Sequence, residues 1–126
     1  MRKIIATKKA PGAVGPYSQA VVSGGFVFTS GQLPMDPETG KFVEGGIQEE
    51  ARQALKNAQA ILEEAGTSLD KAVKVTVFLA DIKDFAAFNE VYAGFFKENP
   101  PARSAYQVAA LPLGARVEIE MIASLE

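Results

Sequence analysis

Three side chains near the end of the chain have the types and the spacing to do chemistry. Arg103 follows Pro100, Pro101 and Ala102, while Glu118 and Glu120 alternate with Val117, Ile119 and Met121. A guanidinium offers a planar fork of donors that grips a carboxylate through two hydrogen bonds, which a lysine ammonium does not match. A glutamate held partly out of water can take a proton and return it, since desolvation raises its pKa and a nearby cation lowers it. Few other options exist, because the 126 residues include no histidine and no cysteine. Imidazole bases, serine–histidine relays, cysteine nucleophiles, disulfides and thiolate or imidazole metal sites are therefore excluded. Proton transfer falls to Asp, Glu, Lys or Tyr.

The elements that hold these residues can be read from the surrounding pattern. Pro100 and Pro101 end any preceding helix and force an extended start. The run after them is strand-like, and Leu111-Pro112-Leu113-Gly114 is a turn. A second strand follows, with Val117, Ile119 and Met121 on one face and Arg116, Glu118 and Glu120 on the other. Upstream, residues 3–7 read as a short edge strand and 10–16 as a loop broken by Pro11, Gly12, Gly15 and Pro16. Residues 19–22 and 26–33 read as strands joined at Ser23-Gly24-Gly25, a hairpin signal. Gly31 within the second marks a bulge or a close approach by a ligand or another backbone.

Residues 47–65 form the clearest helix, with Ile47, Ala51, Leu55, Ala58, Ile61, Leu62 and Ala65 as its apolar stripe and Glu, Arg, Gln and Lys opposite. Residues 72–80 are a strand in which Val73, Val75, Val77 and Leu79 alternate with Lys74, Thr76 and Phe78. A second helix is expected over 82–97, capped by Asp81, with Phe85, Phe88, Val91, Tyr92, Phe95 and Phe96 as its buried face. The order is three strands, helix, strand, helix, two strands. It implies an α+β fold over residues 1–126, one domain with two helices packed on one face of a mixed sheet.

Composition narrows the setting. With 48% hydrophobic residues the chain can build a core, and its net charge of −2 supplies no attraction to nucleic acid or an anionic membrane. The basic start, Met1 to Ala6, has no apolar run of roughly 7–15 residues behind it, and nothing approaches the roughly 20 apolar residues of a membrane span. A soluble cytoplasmic protein is expected. The helix-free face of the sheet should be polar in a monomer. Either register leaves it bulky: Phe26 and Phe28 oppose Val27, Phe78 opposes Val77, and Ile122 opposes Met121. A homo-oligomer using that face is the expectation.

The chain also resembles the RidA/YjgF (reactive intermediate deaminase A) family. The resemblance rests on Pro101-Ala102-Arg103-Ser104 with Val117-Glu118-Ile119-Glu120, and on three upstream matches: Gly15-Pro16-Tyr17-Ser18-Gln19-Ala20, Thr29-Ser30-Gly31-Gln32 and Asp36-Pro37-Glu38-Thr39-Gly40. They occur in order over nearly the whole chain. The resemblance implies a chorismate-mutase-like fold and homotrimers with ligand clefts between subunits. It implies hydrolysis of reactive 2-imino (enamine) acids, such as 2-iminobutanoate and 2-iminopropanoate, to 2-oxo acids and ammonia. No metal or cofactor is expected.

By the same resemblance, Arg103 binds the substrate carboxylate and Glu118 places or activates the attacking water. Tyr17 is a cleft wall and hydrogen-bond donor, and the Ser30 hydroxyl and Gly31 amide hold the ligand carboxylate. Asn89, beside the aromatic stripe of the second helix, is either a further ligand contact or a solvated helix position. Many family members carry a cysteine where this chain has Ala105. An imine needs no covalent nucleophile, so a backbone carbonyl at that position suffices. Two other functions fit less of the pattern. The cleft could hold a small carboxylate metabolite without turnover, as a regulator. A ribonuclease is disfavoured by the negative charge and the absent histidine.

Overall fold

The two most regularly alternating stretches of the sequence become the middle of the molecule. In the computed structural model, which describes residues 2–126, strands β1 (Lys3–Ile5), β2 (Ala20–Ser23), β3 (Phe26–Thr29), β4 (Ala72–Leu79), β5 (Ala102–Gln107) and β6 (Val117–Ser124) form one sheet in the order β1-β2-β3-β6-β4-β5. Met1, the first residue of the basic N-terminal stretch, lies outside the described residues. Helix α1 (Ile47–Glu64) joins β3 to β4, and α2 (Phe85–Phe95) joins β4 to β5. The β4–β5 pair is parallel, as a helical crossover requires, and the other pairs are antiparallel. The fold is thus α+β, with the elements in the expected order.

Consecutive strands β5 and β6 are not neighbours, because β4 lies between them. The Leu111–Gly114 turn therefore carries the chain across the sheet instead of closing a hairpin. This placement decides where Arg103 and Glu118 end up. Arg103 is opposite Val75 in the β4–β5 ladder, and Glu118 is opposite Phe78 in the β4–β6 ladder. Val75 and Phe78 are three residues apart on one strand, so they point to opposite faces.

The helix-bearing face is the core. Val27, Val75, Val77, Leu79, Val117, Ile119 and Met121 are fully buried there, against Leu55, Ala58, Ile61 and Leu62 of α1 and Phe88 of α2. Each such side chain contributes about 1.5–3 kcal/mol by leaving water. The other face leaves Ile4, Phe26, Phe28 and Tyr106 between 40% and 50% exposed, with Phe78 packed edge-on against Tyr106 at 5.7 Å. Among the described residues no helix is long and apolar enough to cross a membrane.

Several boundaries differ from the sequence pattern, each for a local reason. A bulge between Ala72 and Lys74 throws Val73 off the buried face. Strand β3 stops at Thr29, well before residue 33, because the Thr29 hydroxyl accepts the Met121 N–H (3.0 Å) where a ladder bond would continue. The chain rejoins β6 only at Gln32, which exchanges two hydrogen bonds with Ile119 (2.7 and 3.1 Å). Gly31 sits in that gap. Residues Ile82–Asp84 form a 3-10 turn, with the Asp81 carboxylate accepting the Lys83 N–H (2.9 Å), and α2 begins only at Phe85. On α1, Glu50 and Asn57 are buried despite lying outside the apolar stripe.

Candidate active site in two halves

Glu118 anchors the first half. Its carboxylate lies over Gly31, and a Cβ placed on that glycine would stand 2.2 Å from Glu118 Oε2 and 2.7 Å from Cδ. With Glu118 in this position only hydrogen fits at residue 31, a requirement of space and not of a left-handed backbone. The two residues line a cavity of about 350 Å³ with Tyr17, Ser30, Val14, Leu33 and Pro112. Four residues singled out from the sequence, Tyr17, Ser30, Gly31 and Glu118, are thereby brought together. Burial pushes the Glu118 carboxyl above the usual carboxylate range, and the neighbouring charge of Glu120 pushes the same way.

Ser30 departs from its expected part as a donor. Its hydroxyl donates to the Ser18 carbonyl (2.6 Å) and its amide to the Gln19 carbonyl (2.9 Å), so both of its protons are already committed. What remains on its oxygen is acceptor capacity, which does not hold a carboxylate. The Gly31 N–H has no backbone partner among the described residues.

Three buried polar side chains fix the loops around this half, and none stood out in the sequence. Gln19 donates to the carbonyls of Thr7 (3.0 Å) and Pro11 (2.8 Å) and accepts the Thr7 N–H (2.6 Å), tying down the loop that carries Tyr17. Asn57 donates to the carbonyls of Leu33 (3.1 Å) and Met35 (2.9 Å). Glu50 accepts the Arg116 N–H (2.9 Å) just before β6. Each lies outside the apolar pattern of its own segment, so the sequence carries no signal of these staples.

Arg103 anchors the second half, on the helix-bearing face at the edge strand β5. Its guanidinium carbon lies 4.7 Å from the Tyr92 ring centroid and 5.3 Å from that of Phe85, within cation–π range of both. Nη1–H donates to Asn89 Oδ1 at 2.8 Å. Phe85, Asn89 and Tyr92 fall at i, i+4 and i+7 of α2, so one edge of the helix cradles the arginine. Asn89 therefore orients Arg103. Phe85 and Tyr92, which the sequence pattern places in the core stripe, complete the cradle, and their i, i+7 spacing is the signal the sequence carries for it.

No carboxylate forms an ion pair with Arg103 among the described residues, so its remaining N–H groups are open to a ligand. They face a cavity of about 370 Å³ that Pro100 and Pro101 also line. Burial raises the Tyr92 pKa and the Arg103 charge partly offsets it; the hydroxyl itself is buried with no hydrogen-bond partner among the described residues. Ala105 shares the face of Arg103, opposite Val77, and packs against the core, lining neither cavity.

Within one chain, then, the anion clamp and the proton carrier open on opposite sides of the sheet. Each half has what the other lacks.

The chain is similar to known proteins over nearly its whole length. The family model described as Endoribonuclease L-PSP matches residues 7–125. The chain is 57% identical over 123 residues to the human 2-iminobutanoate/2-iminopropanoate deaminase, covering 98% of this chain and 90% of that one. A RutC family protein of Pyrococcus horikoshii is 52% identical over the full length of both. Among solved structures, a putative endoribonuclease of Thermotoga maritima superposes with a TM-score of 0.97 at 51% identity, covering 100% of this chain and 99% of that one. Escherichia coli TdcF with bound serine superposes at 0.93 and 49% identity, covering 97% and 98%.

Proposed function

The chain belongs to the RidA/YjgF family, and from that premise we propose that it is a deaminase hydrolysing reactive 2-imino acids, 2-iminobutanoate and 2-iminopropanoate, to 2-oxo acids and ammonia. A protonated imine carbon is already electrophilic, so the protein's task is to orient the substrate and manage protons. Arg103, stacked on Tyr92 and Phe85 and tied to Asn89, grips the substrate carboxylate. Glu118 takes a proton as water oxygen bonds to the imine carbon, forming a carbinolamine. The same carboxyl returns the proton to nitrogen; the C–N bond then breaks, ammonia leaves, and the Glu118 carboxylate takes the hydroxyl proton as the carbonyl forms. The raised pKa of Glu118 suits a group that must both accept and donate. The Gly31 amide adds a donor beside it. Ala105 contributes no side-chain chemistry, and the outer edge of β5 leaves its backbone open to a ligand.

The observation that carries this reading is the separation of the two halves. A site that needs both must be assembled from two copies, Glu118, Tyr17, Ser30 and Gly31 from one and Arg103 and Asn89 from the next. Such a head-to-tail contact forms a ring where the rotation closes, and the family resemblance supports reading that ring as a homotrimer. The apolar helix-free face supplies surface for assembly. Pyridoxal-phosphate enzymes release these imines in the cytoplasm, where we place the protein.

The test is complementation. Arg103→Ala and Glu118→Gln are each nearly inactive in an assay that follows imine decay behind an amino-acid oxidase. Unfolded together and refolded at equal amounts, they regain about one quarter of wild-type activity, the share of interfaces that pair two intact residues under random mixing. No recovery refutes the shared cleft. Full activity of Arg103→Ala refutes the clamp, and unchanged imine decay with wild type refutes the deaminase. Because TdcF holds serine, a binding-only regulator is the second reading. Under it wild type and Glu118→Gln both bind 2-oxobutanoate and neither speeds imine decay, whereas under the deaminase reading Glu118→Gln loses turnover and keeps binding.

A further inference from the structure

One buried carboxylate takes no part in the chemistry described so far. Glu50, in the first turn of α1 and only 3% exposed, accepts the Arg116 N–H (2.9 Å) and pairs with the Arg116 guanidinium through Nη1 (2.5 Å). Both contacts lie within one chain, and a second copy packed on the sheet deepens the burial without undoing them. Satisfying a backbone amide does not call for a charge. A glutamine oxygen accepts an N–H as well, and burying a carboxylate is costly even when it is paired. The charge is needed only for the guanidinium.

Arg116 stands two positions before Glu118, and strand alternation gives both the same side. The Ala80 N–H donates to the Arg116 carbonyl (3.0 Å), so the β4–β6 ladder reaches this residue. Two strand positions span about 6.5–7 Å, within the reach of an arginine side chain. Left free, this guanidinium is the cation that its own strand brings to Glu118. Yet no cation forms an ion pair with Glu118 among the described residues. The other titratable groups around Glu118 are Glu120 on its own strand and Tyr17 across the cavity. Opposite it β4 presents Phe78, and Lys74, farther along β4, donates to Ser104 Oγ (3.0 Å). In the assembled cleft Arg103 comes from the neighbouring copy and answers the substrate carboxylate. Arg52, on the same helix as Glu50, pairs with Glu49 (2.6 Å).

We propose that Glu50 is a positioning residue for the reaction: it holds Arg116 by amide and guanidinium together, keeps that cation off Glu118, and leaves the proton carrier free of an ion pair. The inference rests on the deaminase reading above. A Glu118 locked to a guanidinium would hold its charge too firmly to accept a proton and return it. The upward push of burial and of Glu120 on its carboxyl survives because no cation offsets it.

The experiment titrates the Glu118 carboxyl carbon by NMR and follows imine decay behind excess amino-acid oxidase over the same pH range. Glu50→Gln keeps an acceptor for the Arg116 amide and releases the guanidinium. It lowers the Glu118 midpoint by about one pH unit or more. The acid limb of kcat/KM moves down with it, and the plateau falls severalfold because a weaker base takes a proton less readily. Adding Arg116→Met to Glu50→Gln removes the freed cation and brings both readouts back toward wild type. Melting curves show which variants are folded. If Glu50→Gln is not, Glu50→Asp takes its place, since the shorter arm does not hold both groups and the same drop, reversed by Arg116→Met, is expected. An unmoved Glu118 midpoint in the folded variant, with imine hydrolysis intact, overturns the proposal and leaves the deaminase standing. A drop that survives Arg116→Met overturns it too, because Glu118 has then been displaced and not ion-paired. Unchanged imine decay with wild type overturns both readings.

Discussion

Replacing Gly31 by alanine tests the proposed role of the Glu118 carboxylate without mutating Glu118 itself. The added Cβ would meet Glu118 Oε2 at 2.2 Å, Cδ at 2.7 Å and Cγ at 3.0 Å, whereas ordinary contact begins at 3.4 Å. The overlap with the oxygen is roughly 1 Å, far beyond what bond-angle strain absorbs. The atoms hit belong to a side chain that can rotate away, and Gly31 has no left-handed backbone to lose. Glu118 therefore swings out of position while the fold survives. A positioned general base is worth about 10²–10⁴ in rate, so kcat/KM for imine hydrolysis falls by at least about 100-fold. The melting temperature moves little, since the stability cost of shifting a half-exposed side chain stays within about 1 kcal/mol. The assay pairs imine-decay kinetics with thermal melts, in wild-type and Glu118→Ala backgrounds. Once Glu118 is truncated, Gly31→Ala should cost nothing further in either readout. Retention of activity within threefold by Gly31→Ala would refute the placement of Glu118 as proton carrier. A large loss of stability that persists in the Glu118→Ala background would show that the glycine serves the backbone instead.

Other outcomes follow from the same geometry. Because burial and Glu120 raise the Glu118 pKa, kcat/KM should rise with pH on its acid limb with a midpoint above the ordinary glutamate range, and Glu120→Gln should move that midpoint down. The linked stability has the opposite slope: a carboxyl whose folded pKa is raised favours the fold below its unfolded pKa, and that contribution is lost as pH rises through the folded value, so Glu118→Gln gains on wild type toward neutral pH in denaturant titrations. Asn57→Ala strands the carbonyls of Leu33 and Met35 and should cost about 2–3 kcal/mol in urea unfolding, with higher KM as the loop loosens. Tyr92→Phe removes a buried hydroxyl without a partner while keeping the ring under Arg103. It should be neutral or stabilising by up to about 1 kcal/mol with KM unchanged, whereas Tyr92→Leu, which loses the ring, should raise KM.

The sequence by itself determined the strands, the helices and their order, because alternation in 72–80 and 117–121 and the apolar stripe of 47–65 are local patterns with a fixed geometric meaning. It also determined which chemistries are absent, since a chain without histidine or cysteine cannot run them. It marked Gly31 as a place of close approach. It did not say what approaches, because Glu118 is 87 positions away and only the Gln32–Ile119 bridge brings them together. Burial of Gln19, Asn57 and Glu50 was equally invisible, as each makes sense only beside the loop carbonyl or amide that it satisfies. Tertiary structure alone decided the central fact about Arg103 and Glu118. Strand order places β4 between their strands, and the register on β4, opposite Val75 for one and Phe78 for the other, sends the two charges to opposite faces; no local periodicity encodes either.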